Sequence, residues 1–112
     1  MSRVVVRRSK AQLILTKKNG TSLTFPVGVG RPDSPTQLGT FKIIGKEIGT
    51  KRSTGTRTIY LSMPGKICGI FGTAQARAVG RATTSGCIAM LNKDIEVIYE
   101  LVEVGDEVEI VP

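Results

Sequence analysis

Asn19-Gly20 is the feature that most narrows what this chain can fold into. Both residues tolerate positive φ, as a tight turn between antiparallel strands requires, and they separate Gln12–Lys17 from Thr21–Val29. In the second arm Leu23, Phe25, Val27 and Val29 alternate with Ser22, Thr24 and Gly28. That period of two belongs to a strand with one buried face. A hairpin over residues 12–29 follows, with Arg3–Arg8 as a further strand before it.

The rest of the chain continues in this manner. Gly30-Arg31-Pro32-Asp33-Ser34-Pro35 is a loop by its prolines. Gly39–Lys46 and Thr58–Met63 are predicted strands, with the polar, basic Gly49–Arg57 as an exposed loop between them. Pro64-Gly65 turns into a short strand, Ile67–Gly72, and the Ala-, Gly- and Thr-rich Thr73–Ser85 is predicted as a loop. Asn92 is placed to cap a helix, with Asp94 and Glu96 in the first turn, where the helix dipole favours acids. Ile95, Ile98, Leu101 and Val102 share one face of that helix, Gly105 stops it, and Glu107–Val111 alternates as a closing strand. With 112 residues, thirteen glycines and no repeat or linker, the expectation is one domain over residues 1–112. It is mainly β, a small sandwich or barrel with one helix near the C-terminus.

Composition removes several function classes. There is no histidine, so histidine general-base chemistry is excluded. Cys68 and Cys87 are the only soft ligands, so no metal site or cofactor is expected, and two cysteines make no disulfide framework. No apolar run reaches the ~18 residues of a membrane span. Met1-Ser2-Arg3 runs straight into Val4-Val5-Val6, in which no signal peptide is read.

Charge is unevenly spread: residues 1–81 hold fifteen Lys/Arg against Asp33 and Glu47, whereas residues 82–112 hold Lys93 against seven acids. Either the basic body meets a polyanion, or the two halves neutralise each other on folding. Tyr60, Tyr99 and three scattered phenylalanines offer no stacking platform, so specific nucleic-acid binding is not expected.

The stretch that carries chemistry is Ile67–Met90, ICGIFGTAQARAVGRATTSGCIAM. Glycine beside cysteine lets the backbone approach a substrate, and a thiolate is a strong nucleophile even when sparsely ionised. By itself Gly86-Cys87 reads more readily as a buried structural cysteine. The wider pattern resembles the L,D-transpeptidase catalytic domain family, whose signature is a strand ending G-I-H-G-T, a loop, then S/T-x-G-C-I-R-M. Gly69-Ile70-Phe71-Gly72-Thr73 is similar to the first part and Thr84-Ser85-Gly86-Cys87-Ile88-Ala89-Met90 to the second. Upstream, Pro26-Val27-Gly28-Val29-Gly30 resembles the strand before the family's T-P-x-G-x-F motif. Thr36-Gln37-Leu38-Gly39-Thr40-Phe41 resembles that motif, with Gln37 for proline. Asn92-Lys93-Asp94 and Gly105–Val111 resemble the start of the final helix and the closing strand.

The resemblance implies an L,D-transpeptidase-like fold of mixed strands and a cell-wall enzyme acting outside the cytoplasm on peptidoglycan stem peptides. It implies Cys87 as nucleophile, forming an acyl-enzyme that passes to an amine, and a carbapenem adduct at the same sulfur. The amides of Gly86 and Cys87 would help to form the oxyanion hole. The departures imply impairment. Phe71 occupies the base position, and general-base help is worth ~10²–10⁴-fold. Ser85 stands where many members have a second histidine, and Ala89 stands for an arginine that would hold a carboxylate or order the pocket. Thr84 belongs to the substrate-binding group, and Arg77 and Arg81 are candidates to fold over the site, unless they point into solvent. Cys68, opposite Phe71 by strand alternation, is expected as a core thiol rather than a partner of Cys87. The alternative function is a non-catalytic domain that binds cell-wall peptide or glycan.

Overall fold

Hydrophobic alternation and tight turns build nine strands among the described residues, which in this computed structural model are 2–51, 55–65 and 68–112. They are β1 (Arg3–Arg7), β2 (Gln12–Thr16), β3 (Ser22–Gly30), β4 (Gly39–Lys51), β5 (Gly55–Leu61), β6 (Cys68–Thr73), β7 (Ala82–Thr84), β8 (Ile88–Leu91) and β9 (Glu107–Val111), with helix α1 (Asn92–Leu101) before the last. The hairpin forms as expected: β2 and β3 pair antiparallel with Leu13 opposite Phe25 and Leu15 opposite Leu23. Gly20 turns the chain at φ 91°. Strand order is β2-β1-β9-β4-β5-β6-β8-β3-β7, and the β2–β3 pairing closes the sheet on itself. Closure pairs the β2 edge that an open sheet would expose and leaves the three-residue β7 as an edge strand. β1–β9, β6–β8 and β3–β7 run parallel, and the remaining pairs run antiparallel.

The buried core follows the pleat. Val4 and Val6, Leu13 and Leu15, Ile59 and Leu61, Cys68 and Ile70, Ile88 and Met90, and Val108 and Ile110 are all buried, each pair two residues apart on its strand. Burying a side chain of this size contributes about 1.5–3 kcal/mol. α1 packs against β5, β6 and β8 through Ile95 and Ile98, both fully buried, while Leu101 is half-buried and Val102 buried just past its end. Gly72 on β6 makes this packing close: a Cβ there would meet Asn92 Oδ1 and lie 3.3 Å from Ile95 Cγ2.

Several boundaries differ from expectation. β4 runs on to Lys51 and β5 starts at Gly55, so most of the predicted Gly49–Arg57 loop is ladder, with Ile48 opposite Arg57; residues 52–54 lie outside the described residues, as does Ile67 at the predicted start of β6. The predicted loop 73–85 holds a 3-10 turn at Ala76–Ala78 and the short strand β7. α1 is not capped by Asn92. Leu91 is the residue before the helix and makes no capping hydrogen bond, while Asn92 Oδ1 accepts the Thr56 N–H at 3.1 Å. Glu96 likewise takes the Thr56 hydroxyl at 2.7 Å. The side chains at the head of α1 therefore tie down β5.

The acidic C-terminal segment lies between basic strands. β9 sits between β1 and β4, with Glu107 opposite Lys42, and Arg3 meets Glu109 at 3.2 Å. Folding therefore brings the two charge halves together along this sheet. No helix among the described residues is long and apolar enough to cross a membrane.

Candidate functional site

The parallel β6–β8 pair sets the geometry of the site. Ile70 stands beside Ile88, Phe71 beside Ala89, and Gly72 beside Met90. Side chains in register on adjacent parallel strands share a face. Ile70, Ile88 and Met90 therefore point into the core, and Phe71 and Ala89 share the opposite face. A cleft of about 440 Å³ opens there, lined by Arg31, Phe71, Gly72, Thr73, Thr83, Thr84, Ser85, Cys87, Ile88 and Ala89.

The fold thus brings Phe71, Thr84, Ser85, Cys87 and Ala89 to one cleft. Arg77 and Arg81 are not part of it. Arg77 is exposed on the 3-10 turn. Arg81 lines a separate basic groove with Arg8, Lys10 and Gly80. The reason is the docking of the predicted loop along β3: Gly80 N–H donates to Val27 C=O at 2.8 Å and Val29 N–H to Arg81 C=O at 3.1 Å. That segment is held as an extra strand and has no slack to fold over the cleft. Arg31 takes the basic position instead. Its N–H donates to Thr84 C=O at 2.9 Å, which anchors the 30–35 loop beside the site, and its side chain lies 3.5 Å from Asp33. The sequence offered only its place next to a proline-rich loop.

Cys87 does not present a thiol. It is disulfide-bonded to Cys68, with Cα atoms 5.5 Å apart. The expectation of a solitary core thiol at Cys68 is therefore corrected, although its burial is as expected, with 0% exposure. Alternation placed Cys68 correctly opposite Phe71. Cys87, however, precedes the first residue of β8 and follows Gly86, whose φ is 122°. Outside the ladder its side-chain direction is not set by the pleat. The register that places Ile70 beside Ile88 brings the two sulfurs to the same end of adjacent strands.

Thr84 organises the turn before Cys87. Its hydroxyl donates to Cys87 C=O and accepts the Gly86 N–H at 3.1 Å. In this state the Gly86 amide is committed to Thr84, so the oxyanion contribution expected of it would require that bond to open. Among the described residues Arg31 is the charged one lining the cleft, with Asp33 as its ion-pair partner. No group of three or more His, Cys, Asp or Glu among the described residues is placed to hold a metal ion. In the disulfide form the reactive atom is an electrophilic sulfur; in the dithiol form it would be a nucleophile.

Comparison with known proteins agrees with this architecture. The Bacillus subtilis protein YkuD, which carries the L,D-transpeptidase name, is 33% identical over 98 residues, covering 88% of this chain and 58% of that protein. L,D-transpeptidase 3 of Mycobacterium tuberculosis, solved with a faropenem-derived adduct, superposes with a TM-score of 0.83 at 19% identity, over 99% of this chain and 60% of that one. LdtMt1, an LD transpeptidase solved in complex with imipenem, gives 0.79 at 22% identity, over 98% and 58%. The chain spans under two thirds of the length of each. The sequence profile of the L,D-transpeptidase catalytic domain, YkuD, matches residues 1–110, and the chain belongs to that family.

Proposed function

We propose that the chain is an acyltransferase of the L,D-transpeptidase type, acting at the cell wall on peptidoglycan stem peptides through Cys87 once that residue is reduced. One observation carries the reading. In a chain of this family, Cys87 lies on the wall of a cleft beside Phe71, Thr84 and Ala89. A thiolate there attacks the carbonyl that follows an L-centre in the stem peptide. The Cys87 N–H, with Gly86 N–H once it leaves Thr84, faces the developing oxyanion. The resulting thioester is then taken by an amine.

The rate is expected to be low. Phe71 accepts no proton, and the ~10²–10⁴-fold that a positioned base supplies is lost. Arg31, which lines the same cleft and pairs with Asp33 at 3.5 Å, offers a partner for a substrate carboxylate in place of the arginine that Ala89 replaces.

Cys87's disulfide and Phe71 also favour a second reading, a binding domain that keeps the cleft and has given up the chemistry. The two separate experimentally. Dithiothreitol-reduced, desalted chain is incubated with imipenem and weighed intact, and Cys87→Ala is titrated with a stem peptide. An adduct that disappears in Cys87→Ala supports the enzyme. No adduct on the reduced chain, with peptide affinity intact in Cys87→Ala, leaves the binder.

A further inference from the structure

The two sulfurs of the disulfide differ sharply in access. Cys68 is 0% exposed within the hydrophobic core, whereas Cys87 is half-buried and lines the cleft. Thiol–disulfide exchange is an attack by a thiolate on one sulfur of the pair, and access decides which one. Of the two residues Cys87 is the one that reaches the cleft, so the attack falls on its Sγ. Arg31 lines the same cleft, its side chain shared with Asp33 at 3.5 Å.

We propose that Cys68–Cys87 is a thiol–disulfide exchange site that takes a dithiol reductant at Cys87 Sγ, with Cys68 as the buried resolving thiol. The reductant's thiolate bonds to Cys87 Sγ as the Cys68–Cys87 bond breaks, and Cys68 leaves with the electron pair. A thiolate in an apolar core is strongly disfavoured, so Cys68 takes up the proton given up by the reductant's first thiol. The reductant's second thiol then loses its proton and attacks its own sulfur in the mixed disulfide, expelling Cys87, which takes that proton or stays as the thiolate. Two electrons and two protons pass to the protein, and the reductant leaves as a cyclic disulfide. In the reverse direction, a monothiol adduct on Cys87 is resolved by Cys68, which restores the internal bond. The consequence for acyl transfer rests on the function proposed above: the nucleophile exists only in the reduced form. The exchange itself does not depend on that reading.

The test uses the native chain, equilibrated with oxidised glutathione and desalted. Iodoacetamide should leave it unlabelled. After dithiothreitol, Cys87 should be alkylated at least about ten-fold faster than Cys68, as accessibility dictates, with the site read by peptide mapping. Labelling of Cys87 before reduction, or equal rates at the two cysteines afterwards, overturns the proposal. In a second arm Cys68→Ala is exposed to oxidised glutathione. It should keep glutathione on Cys87, whereas the native chain should shed it; retention by the native chain removes Cys68 from the resolving role. If Cys68→Ala does not fold, the native-chain arm decides alone. Imipenem separates the two proposals: absence of an adduct on reduced native chain whose Cys87 alkylates normally sinks acyl transfer, and the same alkylation upholds the exchange site.

Discussion

Replacing Asn92 probes a contact that sequence reasoning assigned to the wrong partner. Its Oδ1 accepts the Thr56 N–H at 3.1 Å and lies 3.4 Å from the Thr56 hydroxyl. It also occupies the space that a Cβ on Gly55 or Gly72 would need. Asn92→Ala leaves the half-buried Thr56 N–H without this partner, while the Thr56 hydroxyl keeps Glu96 at 2.7 Å. An orphaned buried donor costs about 1–3 kcal/mol, and partial exposure places this one near 1.5 kcal/mol. In a domain of this size that lowers the melting temperature by roughly 6 °C. Asn92→Ser discriminates between the two roles. Serine caps helices about as well as asparagine, so a capping role predicts wild-type stability. Its hydroxyl is one atom shorter and does not span to β5, so the β5 tie predicts a loss close to that of alanine. Urea unfolding of the oxidised chain, followed by circular dichroism with equal m-values, measures all three proteins. Serine at wild-type stability, or alanine within about 0.5 kcal/mol of it, a change typical of a featureless surface site, would refute the argument.

Two further outcomes are expected. Phe71→His in the reduced chain returns a titratable base to the cleft, and the rate of imipenem acylation should rise by ~10²-fold or more; an unchanged rate, measured by mass spectrometry over time, removes position 71 from the chemistry. Tyr60 donates to Glu47 Oε1 at 3.0 Å, and this hydrogen bond, followed by desolvation and the Glu47 charge, raises its pKa above the ordinary tyrosine value. The neutral phenol is the form favoured by folding, so its small stabilisation is complete below the ordinary tyrosine range and is lost as pH rises through the elevated value. Glu47→Gln should return the Tyr60 ring titration, followed by NMR, towards the ordinary value; no shift would contradict the contact.

What was legible in the chain was what local chemistry decides. Asn19-Gly20 specified its hairpin because a turn type needs only its own residues. Ile95 and Ile98 announced the buried side of α1 because helical period is local too. The Gly49–Arg57 loop was misread for the opposite reason: β4 extends to Lys51 because β5 lies alongside to accept its hydrogen bonds, and no local propensity records that neighbour. β7 and β8, at three and four residues, are too short to show a period. The disulfide belongs to the same class. It depends on which residue of β6 stands beside which residue of β8, a pairing across the chain that strand alternation within β6 cannot supply.

That same pairing gives the departures at the site a joint meaning. In sequence Phe71 and Ala89 are separate substitutions eighteen positions apart; in the sheet they are direct register partners on adjacent strands, facing one cleft. Neither position carries a polar side chain, so this pair offers the cleft no base and no guanidinium. Thr84, Ser85 and Cys87, which line the same cleft, bring two hydroxyls and a sulfur to it. Chemistry in this cleft must therefore come from Thr84, Ser85, Cys87 and Arg31. Phe71→His supplies a base and Ala89→Arg a guanidinium, and the double variant should exceed the sum of the single changes in free energy of activation, because the two groups would occupy one face and act on one substrate.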